Sequence, residues 1–434
     1  MQDWYGEPNR YFTFLKKVAR HIFRRNGFTR VITPALEMKE LIVRSVGEGS
    51  DVVSKELYDV VDKKGRELVL KPESTAGIMR SYLENFKEEP QPVYLYYIEP
   101  HFRYDRPQKG RYRQFHQIGG EIIGERDPIL DAENMYIATE ILDQCWLSDQ
   151  YTLKINTLGN DKEREKYLEE LKDFFSNKKH LLDETDLARL EKNPLRILDS
   201  KHPDIREILP FAPKITDVLK KDSMEYYESV KEYLTLLGVE FEEDPTLVRG
   251  LDYYTDIVFE CVDNSGRSQD AYGWGGRYDK LATTLGAKDP VPAVGFALGV
   301  ERMIDRMVES GYKVKNKDKI DLYFIQIGEE AKKAALPLSM EAHKRGLNTL
   351  SSFGTPSLRA QMKKASRIGA SYVAIIGIME ANRGVCQLKN MEKGTQEEVK
   401  LENLLDVMVD HVGEENLDFY DPTGELIHSP GSDK

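Results

Sequence analysis

One short stretch of the sequence, FRYDRPQKGRYRQFHQ at residues 102–117, concentrates cationic side chains in a chain whose formal net charge is −12. Guanidinium groups keep their charge and bind phosphate oxygens through paired hydrogen bonds, so the stretch could hold several phosphates. Phe115 and Gln117 alternate an aromatic ring and an amide along the same segment, which favours a nucleotide site over a solvated surface hairpin. The cations are Arg103, Arg106, Lys109, Arg111 and Arg113.

Two further stretches carry side chains suited to binding. In AVGFALGVERM, residues 293–303, glycines let the backbone approach a ligand and Arg302 could stack on a planar group, although a strand-to-helix junction explains the same pattern. In LVRGLDYYTDIVFE, residues 247–260, Arg249 and Asp252 lie beside Tyr253 and Tyr254. There the alternative is a structural ion pair with packed aromatic rings.

A fourth stretch, LKPESTAGIMRSYLE at residues 70–84, places Glu73, Ser74 and Thr75 directly before a predicted helix. These side chains could line a binding site. The simpler interpretation is a helix cap, and it predicts that Ser74 caps the helix.

Composition narrows the function classes. The chain has 434 residues, 40% of them hydrophobic and 31% charged, which predicts a globular protein of two or three domains. Its three cysteines are far apart and show no paired spacing with histidines, so neither a disulfide framework nor a metal site is expected. Since the sequence contains no bilayer-length apolar run and its start lacks signal-peptide order, we expect a cytoplasmic protein.

The pattern of elements predicts an α+β body. A helix is expected from Tyr11 to Asn26, because its apolar residues recur at helical spacing. The strand-like segments predict a largely antiparallel sheet, and helix-spaced residues at about 161–238 predict a helical insertion into it. These segments are RVITPAL, ELVLKPE, PVYLYYIEPHFRY, QFHQIGGEIIG, TLVRGLDYYTDIVFECV and AVGFALG.

The C-terminal part predicts a second, smaller domain. The polar run GYKVKNKDK at residues 311–319 is interpreted as a linker, so the first domain is predicted to cover residues 1–318. Alternating strand-like and helix-like segments then predict an α/β domain over residues 319–412. Residues 413–434 are polar, with Pro and Gly, and are expected to form a flexible tail.

Together these stretches resemble the histidyl-tRNA synthetase family of class II aminoacyl-tRNA synthetases over nearly the whole chain. GFTRVITPALEMKELIVRSVGE, the FRYDRPQKGRYRQFHQ hairpin and GFALGVERM are similar to the three class motifs. RGLDYYTDIVFE and the Gly-rich AYGWGGRYDKL, residues 271–281, resemble the two stretches that mark the histidine enzyme. The Gly-rich stretch is interpreted as a loop that Trp274 makes bulkier than usual.

The resemblance implies roles for individual residues. Arg103 would hold the α-phosphate of ATP, with Arg249 opposite it as the second catalytic arginine, while Arg111 would reach the γ-phosphate. Phe115 and Arg302 would enclose the adenine. The histidine pocket would be formed by Glu73, Thr75 and Gln117 at the α-amino group, Glu121 and Tyr254 at the imidazole nitrogens, Arg249, and Tyr278 closing the pocket. Gln108, Lys109 and Arg113 would meet the acceptor end of a histidine tRNA.

The implied reaction forms histidyl-adenylate and pyrophosphate from histidine and ATP with Mg²⁺, and then transfers histidine to the 3′ end of the tRNA. The small domain would be an anticodon-binding domain, and the chain a homodimer with Pro34 at its interface. Lys71 and Ser74 stand where arginine and glycine are commoner in the family. The alternative is a non-catalytic paralogue, the regulatory subunit of ATP phosphoribosyltransferase, which lacks the anticodon domain and the histidine-enzyme stretch.

Overall fold

Residue contacts divide the chain into two units, Met1–Val314 and Lys315–Lys434. The structure is a computed structural model, and it describes residues 3–47, 50, 52–106, 108, 110–200, 202–248, 253–266, 271–314, 319–352, 354 and 357–417. The predicted tail lies almost entirely outside the described residues, as do Lys109, Arg249 and Asp252.

The first unit contains a large twisted sheet and a small one. Its strands are β1 (Thr29–Arg30), β2 (Leu36–Met38), β3 (Tyr58–Val61), β4 (Glu67–Leu70), β5 (Val93–Phe102), β6 (Gln114–Ile123), β7 (Tyr151–Thr157), β8 (Glu242–Glu243), β9 (Thr255–Asp263), β10 (Ala271–Arg277) and β11 (Ala293–Gly299). The large sheet has the order β1-β5-β6-β11-β10-β9-β7-β8, and the small one β2-β4-β3. The central strands of the large sheet pair antiparallel, which confirms the predicted α+β class.

Helices surround this sheet. They are α1 (Gly6–Arg25), α2 (Lys39–Val46), α3 (Thr75–Asn85), α4 (Pro128–Gln144), α5 (Asp161–Ser176), α6 (Glu184–Lys192), α7 (Pro203–Ile208), α8 (Lys221–Leu236), α9 (Leu281–Thr284) and α10 (Val300–Glu309). Helix α1 starts five residues before the predicted Tyr11, because Gly6 to Arg10 form an exposed turn without apolar spacing. Helices α5 to α8 lie in the segment interpreted as an insertion, between β7 and β8.

The interpretation of AYGWGGR as a loop is wrong, because these residues form the central strand β10. Gly273 and Gly275 are needed there for close packing. A Cβ on Gly273 would overlap the carbonyl oxygen of Ala297, and one on Gly275 would overlap that of Gly295 on the neighbouring strand. Glycine in this strand therefore marks close approach of two backbones and not a turn.

A fully buried ion pair fixes the end of β10. Arg277 donates from Nε to both carboxylate oxygens of Asp131, at 3.0 and 3.1 Å, and from Nη2 to Oδ2 at 2.6 Å. It also contacts Asp279, at 3.0 Å. Since Tyr278 follows directly, this pair holds the tyrosine at one place on the sheet face.

The second unit is a small α/β domain. Its strands are β12 (Leu322–Gln326), β13 (Thr349–Ser351), β14 (Tyr372–Ile376), β15 (Val385–Asn390) and β16 (Gln396–Lys400), in the order β13-β12-β14-β15-β16. Its helices are α11 (Glu329–Lys344), α12 (Leu358–Arg367), α13 (Ile378–Arg383) and α14 (Leu404–Val412). The first three strands in that order are mutually parallel, whereas β15 pairs antiparallel with both β14 and β16.

Candidate functional site

The site lies on one face of the large sheet, where alternate residues of four strands point the same way. Phe115, Gln117, Gly119 and Glu121 follow one another along β6, and Gly295 pairs with Glu121 across β6 and β11. An added Cβ at Gly295 would overlap the Glu121 carboxylate, and one at Gly276 would lie 2.9 Å from the Tyr254 ring. These glycines therefore leave room for a pocket in the floor of the sheet.

Glu121 is the acidic centre of this pocket. The Thr75 hydroxyl donates to its Oε1 at 3.0 Å, and the Tyr278 hydroxyl donates a short hydrogen bond to its Oε2. Burial raises the pKa of Glu121 to about 8, while these two hydrogen bonds act in the opposite direction. Both carboxylate oxygens are thus fixed in place before any ligand arrives.

Glu73 lies at the N-terminus of helix α3. Its carboxylate accepts hydrogen bonds from the backbone N–H of Thr75 at 2.6 Å and of Ala76 at 3.0 Å. The prediction that Ser74 caps this helix is therefore wrong, because its side chain makes no capping hydrogen bond and Glu73 takes that place. Burial raises the pKa of Glu73, against the effect of the hydrogen bonds and of the Arg103 charge.

Aromatic rings form the walls of the pocket. Tyr253 lies 4.7 Å from Tyr254 and 5.7 Å from Tyr278, measured between ring centroids. Burial raises the pKa of Tyr97, Tyr253 and Tyr278 well above that of a free phenol, so these groups remain protonated hydrogen-bond donors. The enclosed space is about 20 Å³, the room of a single water molecule.

Gln117 contributes an unused acceptor at the pocket mouth. The residue is 5% exposed, and among the described residues no donor lies within hydrogen-bond distance of its Oε1. Buried amide oxygens normally have a partner, so this one points to a ligand that donates.

A wider cleft of about 350 Å³ opens beside the pocket. Four arginines line it, and Phe115 lines it with them: Arg103, Arg111, Arg206 and Arg302. Arg103, Gln117, Trp274 and Ala297 line both the cleft and the pocket, so the two spaces meet at these residues.

The three cleft arginines that the sequence analysis assigned to ATP are held in different ways. Arg103 donates from Nε to the Pro72 carbonyl at 3.0 Å, and its guanidinium carbon lies 5.3 Å from the centre of the Phe115 ring. Arg302 donates to the carbonyls of Ala271, at 2.7 Å, and Gly110, at 3.2 Å. Arg111 is half-exposed and paired with Asp105 at 2.9 Å, so a ligand phosphate would have to compete with that carboxylate.

The structure brings ten of the sequence-predicted site residues to these two spaces. Five line the pocket, Glu73, Thr75, Gln117, Tyr254 and Tyr278, and Glu121 is hydrogen-bonded to two of them. The other four line the cleft: Arg103, Arg111, Phe115 and Arg302. Gln108 instead forms a backbone bridge with Arg111 at the hairpin tip, and Arg113 lies over the Tyr104 ring at 4.2 Å. The predicted roles of Lys109 and Arg249 fall outside the described residues.

Sequence reasoning missed two wall residues. Tyr97 lines the pocket from β5, and Trp274 lines both spaces from β10. The signal that could have found them is the strand period of two, since every second residue of β5 shares the face of Arg103.

Both units of the chain are similar to known proteins of one family. A family model described as Histidyl-tRNA synthetase matches residues 2–303, and one described as Anticodon binding domain matches residues 321–411. The histidine–tRNA ligase of Halothermothrix orenii is 42% identical over 396 residues, covering 91% of this chain and 94% of the relative. That of a Geobacillus species is 40% identical over 413 residues, covering 93% and 96%.

Solved structures show the same architecture. The crystal structure of apo histidyl-tRNA synthetase from S. aureus is similar with a TM-score of 0.77 and 31% identity, covering 94% of this chain and 98% of that one. A histidyl-tRNA synthetase structure from Nostoc is similar in fold, with a TM-score of 0.66 at 22% identity, covering 94% and 97%.

Proposed function

The chain belongs to the histidyl-tRNA synthetase family, and on that basis we propose how its cleft and pocket perform the histidine–tRNA ligase reaction. The enzyme activates histidine with ATP and transfers it to the 3′ end of a histidine tRNA. The alternative of a regulatory subunit of ATP phosphoribosyltransferase is not better supported, because residues 321–411 match the anticodon-binding model. The observation that carries the proposal is a carboxylate pocket joined to an arginine-lined cleft by Arg103 and Gln117.

The pocket takes the imidazole ring of histidine. Glu121 and Tyr254 bind its two nitrogens, because a carboxylate and a phenol together match a ring that donates at one nitrogen and accepts at the other. Thr75 and Tyr278 hold Glu121 in place for this contact.

The α-amino group lies at the pocket mouth. An ammonium has three donors, and the acceptors offered to it are the Glu73 carboxylate, the Thr75 hydroxyl and Gln117 Oε1. The last of these is the buried acceptor that no described residue satisfies. This arrangement directs the histidine carboxylate toward Arg103 and the cleft.

ATP occupies the cleft. Phe115 and Arg302 enclose the adenine, Arg103 holds the α-phosphate with Arg249 opposite it, and Arg111 reaches the γ-phosphate. Mg²⁺ arrives with the ATP phosphates as part of the substrate, a usual arrangement for this ion. In the parts of the chain that the structure describes, no group of three or more His, Cys, Asp or Glu side chains is arranged to hold a metal ion.

In adenylate formation, histidine in the pocket reacts with ATP in the cleft. A carboxylate oxygen of histidine attacks the α-phosphorus, the bond from that phosphorus to the bridging oxygen breaks, and pyrophosphate leaves. Catalysis is positioning plus stabilisation of the negative charge on the α-phosphate oxygens by Arg103 and Arg249. In the second step a hydroxyl of the terminal tRNA ribose attacks the carbonyl carbon, and AMP leaves with the hydroxyl proton.

The hairpin tip and the second unit contact the tRNA. Gln108, Lys109 and Arg113 meet its acceptor end, and the unit matched by the anticodon-binding model takes the anticodon. On helix α12, Arg359, Lys363 and Arg367 are spaced to share one face, which suits phosphate contacts. No described helix is long and apolar enough to cross a membrane. We place the enzyme in the cytoplasm, where its tRNA substrate is found.

The enzyme acts as a homodimer with Pro34 at the interface. Apolar side chains are exposed in the first class motif next to Pro34 in sequence and in the adjoining small sheet: Ile32 (70% exposed), Leu36 (42%), Met38 (44%) and Val61 (68%). A self-complementary contact would bury this patch in both copies. Light scattering at micromolar concentration should give the mass of two chains.

Pyrophosphate exchange tests the function directly. With MgATP, the protein should support exchange of labelled pyrophosphate into ATP with histidine and with no other standard amino acid, and it should then charge histidine tRNA. A folded sample that bound histidine without exchange would instead support the regulatory alternative.

A further inference from the structure

A buried polar cluster beneath the start of helix α3 has no role in the mechanism above. Its members are at most 6% exposed: Thr33, Lys71, Ser74, Glu99 and His101. Lys71 directly follows β4 and Ser74 directly precedes α3, so the cluster lies where these two elements meet β5.

Lys71 and Glu99 form the charged half of the cluster. The Lys71 ammonium donates to the Glu99 carboxylate in a short ion pair, and to the Thr33 hydroxyl at 2.8 Å. Thr33 donates to Glu99 in turn, from its backbone N–H at 2.9 Å and from its hydroxyl at 3.0 Å. Each charge is therefore paired and hydrogen-bonded, which a buried ion pair requires.

Ser74 and His101 form the other half. Ser74 Oγ lies 2.7 Å from His101 Nε2 and, more distantly, 3.5 Å from Glu99 Oε2. Because the Glu73 carboxylate caps the helix, the Ser74 hydroxyl is available for the shorter bond to His101. Burial, reinforced by the charges of Lys71 and Arg103, holds the pKa of His101 well below its usual range. The ring is thus neutral at physiological pH.

His101 also contacts the walls of both substrate spaces. Its ring centroid lies 5.9 Å from that of Tyr97, in the pocket wall, and 5.8 Å from that of Phe115, in the cleft. Ser74 stands between Glu73 and Thr75 in sequence. One side of the Ser74–His101 bond is therefore the α-amino-binding turn, and the other is the aromatic ring assigned to adenine.

We propose that Ser74 and His101 are positioning residues for adenylate formation, whose hydrogen bond fixes the first turn of α3 relative to Phe115. This rests on the proposed function, because it assumes that Glu73 and Thr75 hold histidine and that Phe115 holds ATP. Without this hydrogen bond, Glu73 and Thr75 can shift away from the amino group of histidine. The affinity for histidine therefore falls more than the rate of adenylate formation.

The test is a double-mutant cycle of Ser74→Ala and His101→Phe, measured by pyrophosphate exchange in the full chain. Phenylalanine keeps a ring against Tyr97 and Phe115 but cannot bond to Ser74. We expect each single variant to raise KM for histidine about fivefold to tenfold, the range for a lost buried hydrogen bond, with a smaller change in kcat. The double variant should be no worse than the more affected single variant, because both remove the same bond.

Two comparison variants make the test decisive. Ser74→Thr keeps the hydroxyl and should restore KM, and if Ser74→Ala does not fold, the comparison of His101→Phe with the wild type carries the test. Thr349→Val removes a similar bond to His343, 2.8 Å long, in the second unit, and should leave exchange unchanged. Lower melting temperatures with unchanged KM, or defects that add in the double variant, would overturn the proposal. Loss of exchange in the wild type would instead reject the proposed function itself.

Discussion

Glu121 and Gly295 face each other across β6 and β11, and the Glu121 carboxylate fills the space that a side chain at 295 would need. The absence of a side chain at one position is therefore what allows the acidic centre of the pocket at the other.

Gly295→Ala tests that relationship. The new methyl group overlaps the carboxylate, so Glu121 must move away from Thr75 and Tyr278. We expect histidine-dependent exchange to fall on the order of 10²-fold, the cost of a displacement of about 1 Å in an active site. Gly354→Ala is the control, since among the described residues an added Cβ there meets no atom within 4 Å. Equal activity of the two variants would contradict the assignment.

The protonation of Glu121 should make stability depend on pH. Its pKa is about 8 in the folded state, against an ordinary value of 4.5, so between these values the folded protein retains a proton that the unfolded chain has lost. Stability therefore falls as pH rises through this window, and the effect levels off above about 8. Melting temperatures of the wild type and of Glu121→Gln should be measured from pH 5 to 9. As pH rises, the melting temperature of the wild type should fall relative to that of the variant. A constant difference across the range would argue against a raised pKa.

Arg103 should act on rate more than on binding. Its Nε is anchored to the Pro72 carbonyl, which leaves the two terminal nitrogens for the α-phosphate. Lysine cannot reproduce that fork. We expect Arg103→Lys to lower kcat for adenylate formation on the order of 10²–10³-fold, with a smaller change in KM for ATP. Single-turnover adenylation measures this, and Arg106→Lys, an exposed arginine of the same hairpin, should behave as the wild type.

Removing the second unit should separate the two half-reactions. A chain that ends near Lys319 retains both substrate spaces, which lie within Met1–Val314. We expect pyrophosphate exchange with histidine to persist and aminoacylation of tRNA to weaken strongly, because the anticodon contact is lost. Gel filtration should show whether the truncated chain remains folded. Equal loss of both activities in a folded sample would contradict the proposed division.

The sequence by itself determined the class of fold, and it predicted most of the residues that the structure brings to the candidate site. Helix periodicity in α1 and strand alternation in β5, β6 and β11 are local properties, so they can be recognised without any contact being known. The arginines of the hairpin and the residues beside α3 could be grouped because they resembled motifs of one family.

Predictions from local sequence patterns were wrong where contacts with other parts of the chain decide the conformation or the hydrogen bonding of a residue. Gly273 and Gly275 suggested a loop, but they lie in β10 because the backbone of β11 passes too close for a side chain. Ser74 was predicted to cap α3, but the Glu73 carboxylate accepts the hydrogen bond from the N–H of Thr75 at the start of this helix.

Only the tertiary structure decided how the buried polar groups pair. Ser74 meets His101 across 27 residues, and Arg277 meets Asp131 across 146. Such pairs depend on strand register and on which helix covers the sheet. Burial then removes water as a competing partner, so each charge and hydroxyl must find another protein group. Neither strand register nor burial can be read from the residues adjacent to a position in sequence. The buried polar cluster around Ser74 and His101 could therefore be recognised only in the tertiary structure.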